Sequence, residues 1–565
     1  TERGFAFYRL PASPADSTQV NTIMAGNFGV AFSDGLPLPA FVDPAVVFGM
    51  DCGFSRPDAF YAAGLQAISE TAQVYEGRGF CAFFGASKRL DPGESLALYS
   101  LYGHASTAVA LEAWAETLAR PGFLQTKHAE ALGLTHDLTR PIRTASGDPV
   151  FDHYCEQTFL DNLLRGGVPI VLGGRQVCHV FSRKHGDPER DYNHFSIAPE
   201  YYSQGNGNFR DVAQNRRNDA VFFPEVGLEN ARLFVSLIQP DGCNPLEIRP
   251  ASFTLEDAAR DEILAPLPNA RALRQVLTGH FTPGQVAAAL EADGADPAIL
   301  EAVFKKSIRH AHAAHGEGYW IDHWTYLPDL LETYLGVFPE RVSTLLGQEI
   351  PFYFSAFKVQ PLLETLGWDN GSAHPFQMVR EDAEARALLS RRPGEEPWAR
   401  HHHGEGEVFR LPLGAKLLLL TLIVAANLDP EGRGVMMDAG KPGWYDALNG
   451  LPGLFGSSLP ETCELLRLAR LLEKSLPPRA PLPVEALGLT RLFTAQSEGE
   501  PRPADWVTRR LALETYRESV RLGFLGETIE VEVQPLLARM VAQLGGAIRA
   551  ADNPTNLPPT YFRHT

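Results

Sequence analysis

The chain has 565 residues, 44% hydrophobic and 21% charged, enough to bury a sizeable core. Its net charge is -18, from 68 Asp and Glu against 50 Lys and Arg. That balance excludes a nonspecific grip on nucleic acid or anionic membrane, while leaving room for one small anion in a local Arg or His pocket. The cysteines (52, 81, 155, 178, 243, 463) form no CxxC pair, so neither a disulfide framework nor a zinc site is expected, and a reduced cytoplasmic setting fits.

Residues 1–107 read as sheet. "GFAFY", "AVVFGM", "GFCAFFGAS" and "SLALYSLYGHA" are short aromatic or β-branched runs separated by turns such as "LDPGES", which predicts an antiparallel β-sandwich. From Ser106 the apolar period becomes three to four. Residues 108–145 read as a helical linker and 146–565 as a long series of helices, with a helical insert near 253–307 that looks like packing and capping. "LLLLTLIVAANL", from Leu417, is too short to span a bilayer and predicts a buried helix. Many helices joined by long polar loops favour an (α/α)6 barrel, so the predicted fold is mainly α, with the sandwich preceding the barrel. Both chain ends read as cut from something longer, leaving sandwich and barrel incomplete.

Three loops carry the chemistry. Ser182–Pro224 interleaves Arg210, Asp211 and Gln214 with Tyr201, Tyr202 and Phe209. Carboxylate, amide and guanidinium groups suit paired hydroxyls, and aromatic rings suit the apolar face of a sugar. Arg210–Asp211 reads either as a pair holding its loop closed or as a clamp on substrate hydroxyls. His312–Leu335 carries Trp320, Asp322, His323, Trp324 and Tyr326 ahead of a helix starting near Pro328. His312 and His315 lack the HExxH spacing of a zinc helix. The third loop, "GKPGWYDALNGLPGLFGSS", holds a single acid, Asp446, beside Trp444 and Tyr445. Aromatic surface disfavours the carboxylate anion, so such an acid keeps its proton near neutral pH and can protonate a glycosidic oxygen. A loop Asp bonded to its own backbone is the plain alternative. Downstream, Ser458 reads as a helix cap, with Pro460 and Glu461 in the first turn.

"PGWYDALNG" resembles the "DWNDGMN" region of the inverting β-glucoside phosphorylases, the cellobiose and chitobiose phosphorylase family and its relatives on laminari- and sophoro-oligosaccharides. Asp446 falls on that family's general acid, Trp444 on its Trp and Asn449 on its later Asn; Tyr445, Ala447 and Leu448 depart from it. "GNGNFRDVAQNRR" resembles the sugar-binding "GFRDSNQD", matching Arg210, Asp211 and Gln214. "GYWIDHWTYLPDLLETYL" resembles "SDDPLWLPLAVxxYI", with Asp322 at the first acid, Tyr326 at the Trp and His323 replacing the second acid.

The departures look most like the β-1,3-oligoglucan (laminaridextrin) phosphorylases. The resemblance implies a β-sandwich, a linker and an (α/α)6 barrel, with Trp320, Asp322, Trp324, Trp444, Tyr445 and Asn449 lining a sugar pocket. It also implies inverting phosphorolysis of a β-glucan oligosaccharide to α-glucose 1-phosphate, with Asp446 as acid and inorganic phosphate as co-substrate, and with no metal or organic cofactor. The family's phosphate ligands lie largely in later barrel segments, so that part of the site is expected either to be absent here or to be supplied by a second chain or homodimer partner that completes the barrel. An inverting β-glucan hydrolase or transglycosylase, with Glu332 or Glu461 as base, and a noncatalytic carbohydrate-binding subunit stay open as alternatives.

Overall fold

The computed structural model describes residues 4–9, 24–33, 35–75, 79–118, 120–180, 198, 200–315, 326–369, 372–375, 378–392, 397–436, 456–494, 503–551 and 557–563. The chain divides into two compact units, 1–156 and 157–565.

In the first unit an antiparallel sheet forms from Ala6–Tyr8, Gly26–Ser33, Leu36–Pro37 and Tyr99–Ala105. Phe5, Val30 and Phe32 bury one face against Leu111 and Ala115 of the helix Ala108–Leu118. The expected second layer of a sandwich is not what the chain builds. "AVVFGM" falls in the helix Pro44–Phe48, because the Asp43 side chain accepts from Ala45 N at 3.0 Å and Pro44 supplies a preset first turn. "GFCAFFGAS" contributes only Phe83–Phe84, paired with Ala40–Phe41. Helices therefore stand where a second sheet was predicted.

The second unit corrects the all-helical barrel as well. Small antiparallel sheets recur throughout it, including Val168–Leu172 with Gln176–Val180, Glu247–Thr254 with Ile308–Ala314, Glu349–Pro351 with Arg410–Pro412, and Arg479–Pro483 with Thr528–Glu532. The protein is thus a mixed α/β fold with scattered sheets, not an alpha/alpha barrel behind a β-sandwich. The physical reason is length: runs such as "VPIVL" and "QVCHV" are too short to break the helical period of a long window, yet their β-branched residues suit a ladder.

Every residue of the helix Leu413–Ala426 is buried, as its unbroken apolar run implies. Its one charged residue, Lys416, donates from Nζ to the carbonyls of Ile238 (2.9 Å), Pro351 (2.8 Å) and Ser236 (3.2 Å) and sits 4.0 Å from the Phe352 ring centroid. Among the described residues no helix is long and apolar enough to cross a membrane.

Residues near 253–307 form a second core around Phe253, Phe281 and Phe304, into which Leu172 and Cys178 of the hairpin Val168–Leu172 with Gln176–Val180 also pack. A capping box between Thr282 and Gln285 opens the helix Pro283–Asp293, which Gly294 ends in a left-handed conformation. This subdomain closes on the turn at Gly173, where φ is +59° and an added Cβ would stand 2.1 Å from Lys305 N. Only glycine fits there.

Candidate functional site

Three strands meet in one register: Asn208 of Gly207–Asn208 pairs with Glu247, and Glu247 pairs on its other side with Ala314. Two of the loops singled out by sequence leave from this rung. The helix Phe209–Arg216 starts one residue beyond Asn208, and residues 316–325 follow Ala314 by two.

Asn208 caps that helix, its side-chain oxygen accepting from Arg210 N at 3.1 Å. Arg210 donates from Nε to Asp211 Oδ1 at 3.1 Å, with its Nη2 also 3.1 Å away. Asp211 is buried and Arg210 half-buried, while Gln214 is exposed. The adjacent pair is thus held side-on at a helix start, a position where the macrodipole also favours the carboxylate.

Glu247, which carries no local motif, is the buried centre of the rung. Its Oε1 accepts from Asn206 Nδ2 and its Oε2 from Arg249 Nε at 3.1 Å. Beyond Ala314, His315 is buried and stacked on Tyr353, with ring centroids 4.9 Å apart. Burial, helped by the nearby Lys358 charge, pushes its pKa down to about 3, so the ring is neutral at physiological pH. Trp320, Asp322 and Trp324 lie outside the described residues.

The third loop also leaves from a ladder. Val435–Met436 pairs antiparallel with Gly456–Ser458, and Gly456–Ser458 pairs with Tyr561–Arg563. Asp446, Trp444, Tyr445 and Asn449 lie between these strands, in 437–455, outside the described residues. The base of that loop is a buried polar network. Ser457 Oγ donates to Asp429 Oδ2 at 2.6 Å, Arg433 N donates to Asp429 Oδ1 at 2.9 Å, and Arg509 Nη2 donates to the Asp429 carbonyl at 3.0 Å. Asn427 donates from Nδ2 to the Met436 carbonyl at 2.9 Å and accepts from Arg510 at 2.5 Å. Ser458 caps the next helix, Leu459–Ser475, accepting from Glu461 N at 3.3 Å, as its sequence position predicts.

The helices that follow the three loops pack together. Tyr326–Val337 touches both Phe209–Arg216 and Leu459–Ser475. Asp329 joins them: Arg217 Nη1 reaches its Oδ2 at 2.8 Å and Arg467 Nη1 its Oδ1 at 2.8 Å. Arg467 also holds Glu332 at 2.5 Å.

The sequence reading missed Glu247, Asp429 and Ser457. Of these, only Asp429 had a local cue, the Asp-Pro turn after an apolar helix. Among the described residues no cluster of three or more His, Cys, Asp or Glu is arranged to hold a metal ion. Neither a scan against protein-family models nor a comparison with curated proteins finds a match.

Proposed function

We propose that this protein carries out inverting phosphorolysis of a β-glucan oligosaccharide, most simply a β-1,3-linked one, in the cytoplasm. The observation that carries the reading is the Asn208–Glu247–Ala314 rung, from which the Arg210–Asp211 helix and the Asp322 loop both depart. Two segments separated by about a hundred residues of sequence are thereby rooted together, as a shared sugar pocket requires.

In the proposed reaction an oxygen of inorganic phosphate attacks the anomeric carbon of the nonreducing-end glucosyl unit. The glycosidic C–O bond breaks, and its electron pair goes to the leaving oxygen, which takes the proton of Asp446. The products are α-glucose 1-phosphate and a chain shorter by one sugar. Phosphate replaces both the water and the base that activates it in an inverting hydrolase, so one protein carboxylate suffices. Arg210 and Asp211 hold hydroxyls of the cleaved sugar, and contacts there strengthen as the ring flattens toward an oxocarbenium-like state. Gln214, Trp320, Asp322, Trp324, Trp444, Tyr445 and Asn449 complete the proposed pocket, with a second chain or homodimer partner supplying further phosphate ligands.

A hydrolase would need a second, water-activating carboxylate. Glu332 is engaged by Arg467, and Glu461 is buried in a capped first helical turn, which favours the phosphorylase over the hydrolase.

The test is incubation with laminaribiose, cellobiose, sophorose and longer β-glucans, with and without phosphate. Glucose 1-phosphate should appear only with phosphate, and Asp446→Asn should abolish it while sparing oligosaccharide binding. Phosphate-independent release of glucose would overturn the reading in favour of hydrolysis, and no turnover of any glucan would favour a noncatalytic binding subunit.

A further inference from the structure

Away from the loops described above, three arginines surround one cavity of about 180 Å³: Arg232 on the helix Glu229–Ser236, Arg309 on the strand Ile308–Ala314 and Arg410 on the strand Arg410–Pro412. Trp398, Glu229 and Glu349 also line it. Arg309 is five residues along its strand from Ala314, roughly 17 Å at the rise of an extended chain. Ala311, three residues and about 10 Å from Ala314, also lines the cavity, which therefore lies along the same strand as the rung without including Asn208, Glu247 or Ala314.

The charges are arranged rather than scattered. Glu229 divides its two oxygens between two guanidinium groups, Oε1 to Arg309 Nη1 and Oε2 to Arg232 Nη2 at 3.4 Å. One carboxylate thus orients two cations and offsets only one of their charges. Arg410 brings a third guanidinium from an exposed strand position, and Glu349 is an exposed acid on the neighbouring strand. The lining keeps a net positive charge in a chain whose total is -18, so an anion is drawn to this place against the general field of the protein. Guanidinium forks match the oxygens of a tetrahedral oxyanion in pairs, which a carboxylate-poor surface of lysines would not. Trp398, buried beside them, adds an apolar wall of the kind that covers a sugar ring.

We propose that this cavity is a binding site for a phosphate group, free or carried on a small sugar, distinct from the site of glycosidic cleavage. Arg232 and Arg410 grip the phosphate oxygens, Arg309 fixes the back of the site through Glu229, and Trp398 faces the remainder of the ligand. The inference does not depend on the phosphorylase reading and stands if no glucan is turned over.

The experiment is titration calorimetry with inorganic phosphate, sulfate and α-glucose 1-phosphate on the wild-type protein and on the Arg232→Gln/Arg410→Gln double variant. The double variant should weaken a phosphate-binding event by about tenfold or more, in line with the loss of charge-assisted bonds. Phosphate binding as strong as that of glucose 1-phosphate assigns the site to the free ion; tighter binding of the sugar phosphate assigns it to the phosphosugar and to Trp398. Arg410→Gln alone, at an exposed side chain, serves as the variant certain to fold and should weaken the same event. No binding of any of the three ligands at millimolar concentration, or equal binding by wild type and both variants, overturns the proposal. Glucose 1-phosphate formation assayed in parallel tests the phosphorylase reading separately.

Discussion

Ser457 and Asp429 meet at 2.6 Å with no exposed surface on either residue, at the ladder that closes the base of residues 437–455. A buried carboxylate costs free energy unless its oxygens find donors. Here the donors are the Ser457 hydroxyl and the Arg433 amide. Ser457→Ala removes one and brings in no water-filled space to replace it. The expected loss is about 1–3 kcal/mol, read as a lower urea midpoint with an unchanged slope. If the network positions Asp446, kcat for phosphorolysis falls as well, with KM changing less. A midpoint equal to wild type would show that the bond adds nothing to stability.

The pair His179 and Asp219 makes a different prediction. Nε2 and Oδ2 are 2.8 Å apart, a distance an ion pair would also show, but both groups are buried among Arg216, Arg309, Glu229 and Asn230. Burial pushes Asp219 up to about 7 and pushes His179 well below its ordinary value of 6.5. We read the pair as neutral, with the proton on Asp219. Between the ordinary values of 3.8 and 6.5 the unfolded chain holds one proton, on His179, and the folded chain also holds one, on Asp219. Equal proton counts leave stability flat in that window as far as this pair is concerned. Asp219→Asn removes the folded-state proton and leaves His179 neutral, so the unfolded state then binds one more. Stability of the variant should fall as pH drops below 6.5, by at most about 1.4 kcal/mol per unit. Thermal melts of both proteins between pH 4 and 7 measure it; parallel curves would mean that His179 of the variant takes up its proton in the folded state as it does in the unfolded one.

Adjacent glycines in one turn give an internal control. Gly173 and Gly174 both have positive φ, +59° and +65°, but only Gly173 faces backbone, whereas a Cβ on Gly174 meets nothing within 4 Å. Gly174→Ala should cost about 1 kcal/mol, the left-handed strain alone. Gly173→Ala must in addition displace the chain at Lys305, so its cost should exceed 3 kcal/mol or so, in the range reserved for disrupted packing. Similar melting temperatures for the two variants would refute the close approach.

What was legible in the sequence follows from range. The helix Leu413–Ala426 announces itself in its own residues, and Ser458 with Pro460 marks a helix start within three positions. Arg210 and Asp211 are neighbours in sequence, so their pairing needed no tertiary knowledge. The sheets were missed because many strands are short, as in the hairpin Val168–Leu172 with Gln176–Val180, or have distant partners: Glu247 pairs with Ala314 across the whole helical subdomain. No periodicity within "NPLEIRPASF" signals that pairing. "AVVFGM" was misread for the opposite reason, since β-branched propensity was weighed above the Asp43–Pro44 cap that starts a helix there. Asp429 and Ser457 are ordinary turn and cap residues until the fold brings them together.

Glu247 offers the sharpest test of whether the shared rung serves the site or only the sheet. Its two oxygens receive Asn206 Nδ2 and Arg249 Nε, so the carboxylate ties the approach to Arg210–Asp211 to Glu247's own strand, and that strand's backbone ladder then pairs with Ala314. Glu247→Gln keeps the volume and replaces one acceptor by a donor. Asn206 can turn its amide to meet the new donor, so the fold should lose only about 1 kcal/mol. The charge-assisted bond to Arg249 is weakened, however, and the geometry of the rung shifts with it. Oligosaccharide affinity, measured in an Asp446→Asn background where no turnover intervenes, should drop about tenfold, equivalent to the ~1.4 kcal/mol that one such bond contributes. A substitution that lowers stability by that small amount while leaving affinity intact would confine Glu247 to holding the sheet, and the rooting of the two loops on one rung would then carry no weight for sugar binding.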